Sequence, residues 1–303
     1  MSTVDPRSAG DRMWEQQSRF GRRAEVVSVD RLTITGTVRI RARVTDDRPF
    51  DYKPGQFVAI QEDVPGVGLQ HSPYCMFLPP TGEREFEMLI RVFPEGPLSH
   101  YLASVPPGTT LHFRGPSGRS MIPKEPDSEL CMLATGVGIS PLHSLILHLL
   151  AEGDPRPIRL YWGLRLVEDI CLTDELDALV AEHPNFRYAV TLSQPPPDWN
   201  GLKGRLTESV PPLLETLGGK RFYLCGNGAM AEEMEIALSD MGVDRSFIHQ
   251  ERFFNVHHRA DQAVIDAILA RFVARDLFSP YLEQQAPLLF AIERDVHGRK
   301  YGP

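Results

Sequence analysis

From Ala24 to Thr45 the chain reads as extended: Val26, Val27 and Val29, then Leu32, Ile34, Val38 and Ile40, recur among polar residues, with many β-branched side chains. Short strands are also predicted at Gln56–Ile60, Phe86–Val92 and Thr110–Arg114. Turns such as Lys53-Pro54-Gly55 and Pro106-Pro107-Gly108 separate them. Pro97–Ala103 is the helix-like piece of this half. Short strands at regular spacing predict a small β-barrel or sandwich, and an antiparallel β-barrel is the fold expected of this half.

Past residue 126 the pattern changes. Leu130–Ala134 is a continuous apolar run, followed by a glycine turn and the apolar helical stretch Leu142–Leu150. Ile158–Trp162, Phe186–Leu192, Phe222–Cys225 and Phe247–His249 continue the theme of buried strands between helices. Such alternation predicts a doubly wound parallel α/β sheet. The expected organisation is an N-terminal arm (1–23), a barrel domain (24–125), an α/β domain (126–255) and a C-terminal helical extension (256–303). In the extension Ile265, Leu269 and Phe272 stand at helical spacing, so it is expected to dock against the rest.

A length of 303 residues suits two domains. The net charge of −8 argues against a nucleic-acid partner, since each phosphate contact wants a cation. The N-terminus has no apolar signal core, and no apolar run reaches the roughly 18 residues of a membrane span. Cysteines stand at 75, 131, 171 and 225 with no CxxC pair, so free thiols, a cytoplasmic location and no metal site are expected. His143 and His148 are five apart, which is not the spacing of a helical ligand pair. Nothing in the pattern sets an oligomeric state.

The candidate chemistry gathers where strands end. Thr135-Gly136-Val137-Gly138 joins a strand to a helix, a turn that lets backbone approach a diphosphate at a helix N-terminus. Tyr161-Trp162-Gly163-Leu164-Arg165, Leu192-Ser193 and Cys225-Gly226-Asn227-Gly228-Ala229-Met230 follow at the ends of later strands, and Glu251-Arg252-Phe253 closes the series. Doubly wound sheets bind ligands at the carboxyl ends of their strands.

These residues, in this order, resemble the ferredoxin–NADP reductase superfamily, with its TGxGxxP turn, YxGxR and CGxxxM elements and terminal E-x-F. In the first half Gly55-Gln56-Phe57-Val58, Gly115-Pro116-Ser117-Gly118, and Ile90-Arg91-Val92 with Gly96-Pro97-Leu98-Ser99 resemble its flavin domain. The resemblance covers about residues 24–254. It implies an FAD-dependent NAD(P)H oxidoreductase that passes electrons to a separate ferredoxin or oxygenase component. A non-catalytic or redox-sensing protein on the same scaffold is the alternative.

The family's R-x-Y-S motif departs here to Ser72-Pro73-Tyr74-Cys75. Tyr74 is implied to pack on the flavin ring. The phosphate-pairing Arg is replaced by Ser72, which has no charge to offer. His71, Arg91 or Arg114 is left to compensate, and Gly96 and Ser99 to offer a helix N-terminus. By the same resemblance Tyr74, Cys75, Cys225 and Glu251 lie where the nicotinamide meets the flavin, and Thr135, Gly136, Val137, Gly138, Arg165, Ser193, Gly226, Asn227 and Met230 hold the nicotinamide cofactor. Ser193-Gln194-Pro195-Pro196-Pro197-Asp198 brings no cation for a 2′-phosphate, so NADH is expected over NADPH.

Overall fold

The computed structural model describes residues 21–94, 96–123, 129–214 and 216–253. The first twenty residues of the expected arm and the expected extension at 256–303 lie outside them.

The first half is a six-stranded sheet curved into a half-barrel, built from β1 (Arg22–Arg31), β2 (Thr37–Val44), β3 (Phe57–Val64), β4 (Gly68–Cys75), β5 (Glu85–Arg91) and β6 (Thr110–Ser117). The order is β4-β3-β6-β1-β2-β5, antiparallel at every pairing. A bridge between Met76 and Met88, with Phe77 N–H donating to Glu87 O at 2.7 Å, draws the two edges together. Alternation sorts β2 cleanly. Val38, Ile40, Ala42 and Val44 are buried, while Arg41 and Arg43 point out and pair with Glu87 and Glu85 on β5. Helix α1 (Pro97–Ser104) follows β5, with Pro97 in its first turn.

β4 is absent from the sequence reading. Its segment, Gly68-Leu69-Gln70-His71-Ser72-Pro73-Tyr74-Cys75, contains a proline and little alternation. A sheet edge tolerates proline because no neighbour needs its missing N–H, and β4 is an edge strand.

The second half carries β7 (Glu129–Thr135), β8 (Ile158–Leu164), β9 (Phe186–Leu192), β10 (Leu202–Lys203), β11 (Lys220–Asn227) and β12 (Ile248–Phe253). All pair in parallel, in the order β10-β9-β8-β7-β11-β12. Helices α2 (Ile139–Ala151), α3 (Thr173–Glu182), α4 (Leu206–Ser209) and α5 (Gly228–Asp240) pack on it. β7 is apolar on both faces because both are covered: Leu130, Met132 and Ala134 join α2, while Cys131 and Leu133 join α4 and α5. Cys131 is thus a packing residue. Among the described residues no helix is long and apolar enough to cross a membrane.

The halves share a core. Phe77 and Leu89 of the barrel belong to the α/β cluster. Phe77 stacks on His143 of α2 with ring centroids 4.0 Å apart, and His143 Nδ1 lies 3.1 Å from Phe77 O. Arg39 covers the Phe77 ring and pairs with Glu175 of α3.

Candidate functional site

In the parallel sheet the chain runs outward from β7 through β8 and β9, then returns to place β11 on the other side of β7. Ligands bind at such a reversal, beyond the strands' carboxyl ends. Two glycines let the turns after β7 and β11 touch. A Cβ on Gly138 would lie 2.5 Å from Cys225 O and 2.6 Å from Gly226 Cα, and one on Gly226 would run into Thr135. Gly226 also holds φ +127°, a conformation that favours glycine. Thr135 Oγ1 accepts from Asn227 N–H at 2.9 Å, and Asn227 Oδ1 caps α5 by accepting from Ala229 N–H at 2.9 Å. Trp162 Nε1–H donates to Gly136 O at 2.9 Å and fixes the first turn from the next strand.

A cavity of about 400 Å³ opens over these turns. Its α/β walls include the expected Thr135, Gly136, Val137, Arg165, Ser193, Gly226, Asn227 and Met230; from the barrel come Thr37, Leu89, Arg91 and Phe93. Gly138 and Cys225 stand behind the wall, both buried. Asp169, Phe93 and Arg205 are among the lining residues that escaped sequence reasoning. Asp169 follows Arg165 by four residues in a segment without a motif, and only the fold brings it against the barrel. Arg205 sits one residue past Gly204, and its charge was a signal open to reading.

Cys75, Cys225 and Glu251 come together from separate elements. Cys225 and Glu251 are register partners on β11 and β12, and Cys75 Sγ lies 3.9 Å from Glu251 Oε1 across the domain boundary. Burial pushes both thiols up, reinforced for Cys75 by the Glu251 carboxylate and for Cys225 by Cys75 and Glu251. Burial also raises Glu251, opposed by its hydrogen bond from Cys75. Cys75 and Cys225 are both buried, and both thiols are protonated at neutral pH.

The remaining expected residues spread out. Tyr74 pairs across the sheet with Val58 and packs against the barrel core, and burial pushes its phenol up to about 12 while the Ser72 hydroxyl pulls the other way. His71 is exposed, on the opposite face of β4 from Ser72 and Tyr74. Ile90 and Val92 are buried in the barrel core, so only their backbone can meet a ligand. In the first turn of α1, Ser99 Oγ–H donates back to Gly96 O at 2.7 Å, which tightens Gly96-Pro97-Leu98-Ser99 around the helix start. Arg91 turns into the cavity and pairs with Asp169.

A ligand with a diphosphate fits these residues. A Cβ on Gly136 would meet nothing within 4 Å, so the turn presents bare backbone, and Arg91 brings a cation to the cavity wall.

A half-barrel thus shares its core with an open parallel sheet, and a cavity lies at the sheet's reversal. Residues 28–122 match the oxidoreductase FAD-binding domain family, and residues 132–235 match the oxidoreductase NAD-binding domain family. Ferredoxin–NADP reductase B of Sorangium cellulosum is 32% identical over 217 residues, covering 69% of this chain and 88% of that protein. The ferredoxin–NAD(P)(+) reductase component of the naphthalene 1,2-dioxygenase/salicylate 5-hydroxylase systems of Ralstonia sp. is 30% identical, covering 71% of this chain but only 64% of that protein. The cytochrome P450 reductase GcoB of Amycolatopsis shares the fold with a TM-score of 0.70 at 24% identity, over 77% of this chain and 69% of that one. The chain belongs to the ferredoxin–NADP reductase superfamily and is an FAD-dependent NAD(P)H oxidoreductase.

Proposed function

We propose that the chain oxidises NADH or NADPH at the cavity between its domains and delivers the electrons to a separate acceptor protein, a ferredoxin or an oxygenase component. The observation carrying this reading is the convergence of Cys75 with Cys225 and Glu251, one residue from Gly226 and two from Phe253, which both line the cavity. Bound FAD supplies the conversion of a hydride into single electrons.

The chain's own residues position and exclude. Tyr74 packs on the flavin ring, and the first turn of α1 after Gly96 faces the flavin diphosphate. The Thr135–Gly138 turn and the start of α5 hold the nicotinamide cofactor's diphosphate. Cys225, fully buried, keeps water from the meeting point of the rings, and Glu251 holds the nicotinamide carboxamide. Arg205 and Arg165 both line the cavity with Ser193, so a cation is present although Ser193–Asp198, directly after β9, contains none. On this reading the site takes either dinucleotide, with Arg205 as the discriminator for the 2′-phosphate. All four cysteines are free, which suits a reducing compartment such as the cytoplasm. The test is steady-state reduction of purified ferredoxin by the full chain with each dinucleotide. Turnover that requires FAD supports the reading, and its absence with every one-electron acceptor opposes it.

A further inference from the structure

Arg91, at the end of β5, uses one nitrogen for all its contacts. Nη1 lies 3.0 Å from Asp169 Oδ1, 3.0 Å from Thr35 Oγ1 and 3.4 Å from Thr37 Oγ1. Nε and Nη2 have no hydrogen-bond partner among the described residues, although the residue lines the cavity and its side chain is only 19% exposed. Asp169 is itself fixed. Its side chain is 7% exposed, and Oδ2 accepts the Leu166 N–H at 3.1 Å. Burial pushes that carboxyl up, yet the charge of Arg91 and hydrogen bonds from Thr35 and Leu166 hold it below the usual carboxylate range. The ion pair thus stays charged at neutral pH and crosses the domain boundary.

The Nε–Nη2 edge of a guanidinium carries two parallel N–H donors spaced to meet two oxygens of one phosphate. We propose that this edge of Arg91 is an anion subsite for a phosphate of a dinucleotide in the cavity, and that Asp169 is a positioning residue that aims it from the other domain. The inference rests on the reading above that the cavity takes a dinucleotide. It deepens that reading by assigning a cation from the barrel side: Ser72 has no charge, His71 faces away from the Ser72–Tyr74 side of β4, and Arg114 is exposed. FAD and the nicotinamide dinucleotides both carry the required diphosphate. Because Asp169 adds a negative charge near the bound anion, its contribution is orientation and not attraction, which separates it from a simple charge effect.

The test uses inorganic pyrophosphate as the probe, titrated calorimetrically into the purified full chain at low ionic strength. Arg91→Gln should weaken its binding by about tenfold or more, the loss expected for a charge-assisted bidentate contact. Arg91→Lys, which keeps the charge but not the fork, should lose most of the same affinity, and Asp169→Asn should weaken binding a few-fold. Thermal melts establish that each variant is folded, and Arg91→Lys is the mildest should the others unfold. In the same variants, a rise in the FAD dissociation constant assigns the phosphate to the flavin, and a rise in KM for NADH and NADPH assigns it to the nicotinamide cofactor. Pyrophosphate bound equally by wild type and Arg91→Gln overturns the subsite, and tighter binding by Asp169→Asn overturns the positioning role. A wild type that binds pyrophosphate through Arg91 yet oxidises neither dinucleotide leaves the subsite standing and removes the functional reading.

Discussion

Replacing Gly138 by Ala tests whether the close approach of the two turns sets the geometry of the site. The added Cβ would sit 2.5 Å from Cys225 O, 2.6 Å from Gly226 Cα and 2.8 Å from Cys225 C. All three are backbone atoms of a strand paired on both sides, so no side chain can swing away. To restore 3.4 Å, the start of ordinary contact, the turns must part by roughly 0.9 Å (3.4 − 2.5). Overpacking of this kind costs about 1–3 kcal/mol of stability. On the proposed reading the functional effect should be larger, because the backbone of Cys225 is pushed, and a misplacement of about 1 Å at a reacting centre can cost on the order of a hundredfold in rate. Gly153 is the control. It holds φ +71° with nothing within 4 Å, so Gly153→Ala adds backbone strain of about 1–2 kcal/mol far from the site. Rapid mixing of each holoprotein with NADH or NADPH, followed at the flavin band, should show Gly138→Ala slowed at least tenfold and Gly153→Ala near wild type. A Gly138→Ala protein that melts and reduces like wild type refutes the close approach.

Tyr74→Ala should purify with sharply lower flavin content, read from flavin absorbance per protein; full loading and equal activity would remove Tyr74 from the ring site. Glu251→Gln and Cys225→Ala should slow flavin reduction far more than they raise KM, checked by rapid mixing against steady-state kinetics, and unchanged rates would return both to packing. Arg205→Ala should lower kcat/KM for NADPH by about tenfold or more while leaving NADH nearly unchanged, since only NADPH carries the extra phosphate. Burial lowers His100 and His143 from 6.5 to about 4, so the unfolded chain binds more protons between those values. Their contribution to stability is complete above about pH 6.5 and is lost as pH falls through about 4, whereas Glu62 and Glu251, raised by burial, act in the opposite sense. Urea midpoints across that range should fall with pH in wild type and less steeply in His143→Gln, and parallel curves would refute the assignment.

The fold was legible wherever burial imposed a simple pattern. The run Leu130–Ala134 announced a strand covered on both faces, and Val38 to Val44 announced one covered on a single face. β4 was hidden because an edge strand can carry Pro73 and polar residues on a half-solvated surface. The turn Thr135 to Gly138 was readable as a glycine turn between a strand and a helix, whereas Asn227 entered the site through the family resemblance. Arg91 was one of three candidate phosphate partners, with His71 and Arg114, but its neighbour Asp169, 78 residues away, was beyond any local reading. The same holds for the meeting of Cys75 with Glu251 across 176 residues, which only the docking of the two domains creates.

The central claim is that the cavity delivers a nicotinamide cofactor to a flavin held at Tyr74 and Cys75. Anaerobic titration of the purified, FAD-loaded full chain with NADH and with NADPH, followed in the flavin's visible band, tests it most directly. The account predicts that about one equivalent of at least one dinucleotide bleaches the band and that adding an oxidised one-electron acceptor restores it. A band that stays unbleached by excess of both dinucleotides would contradict it.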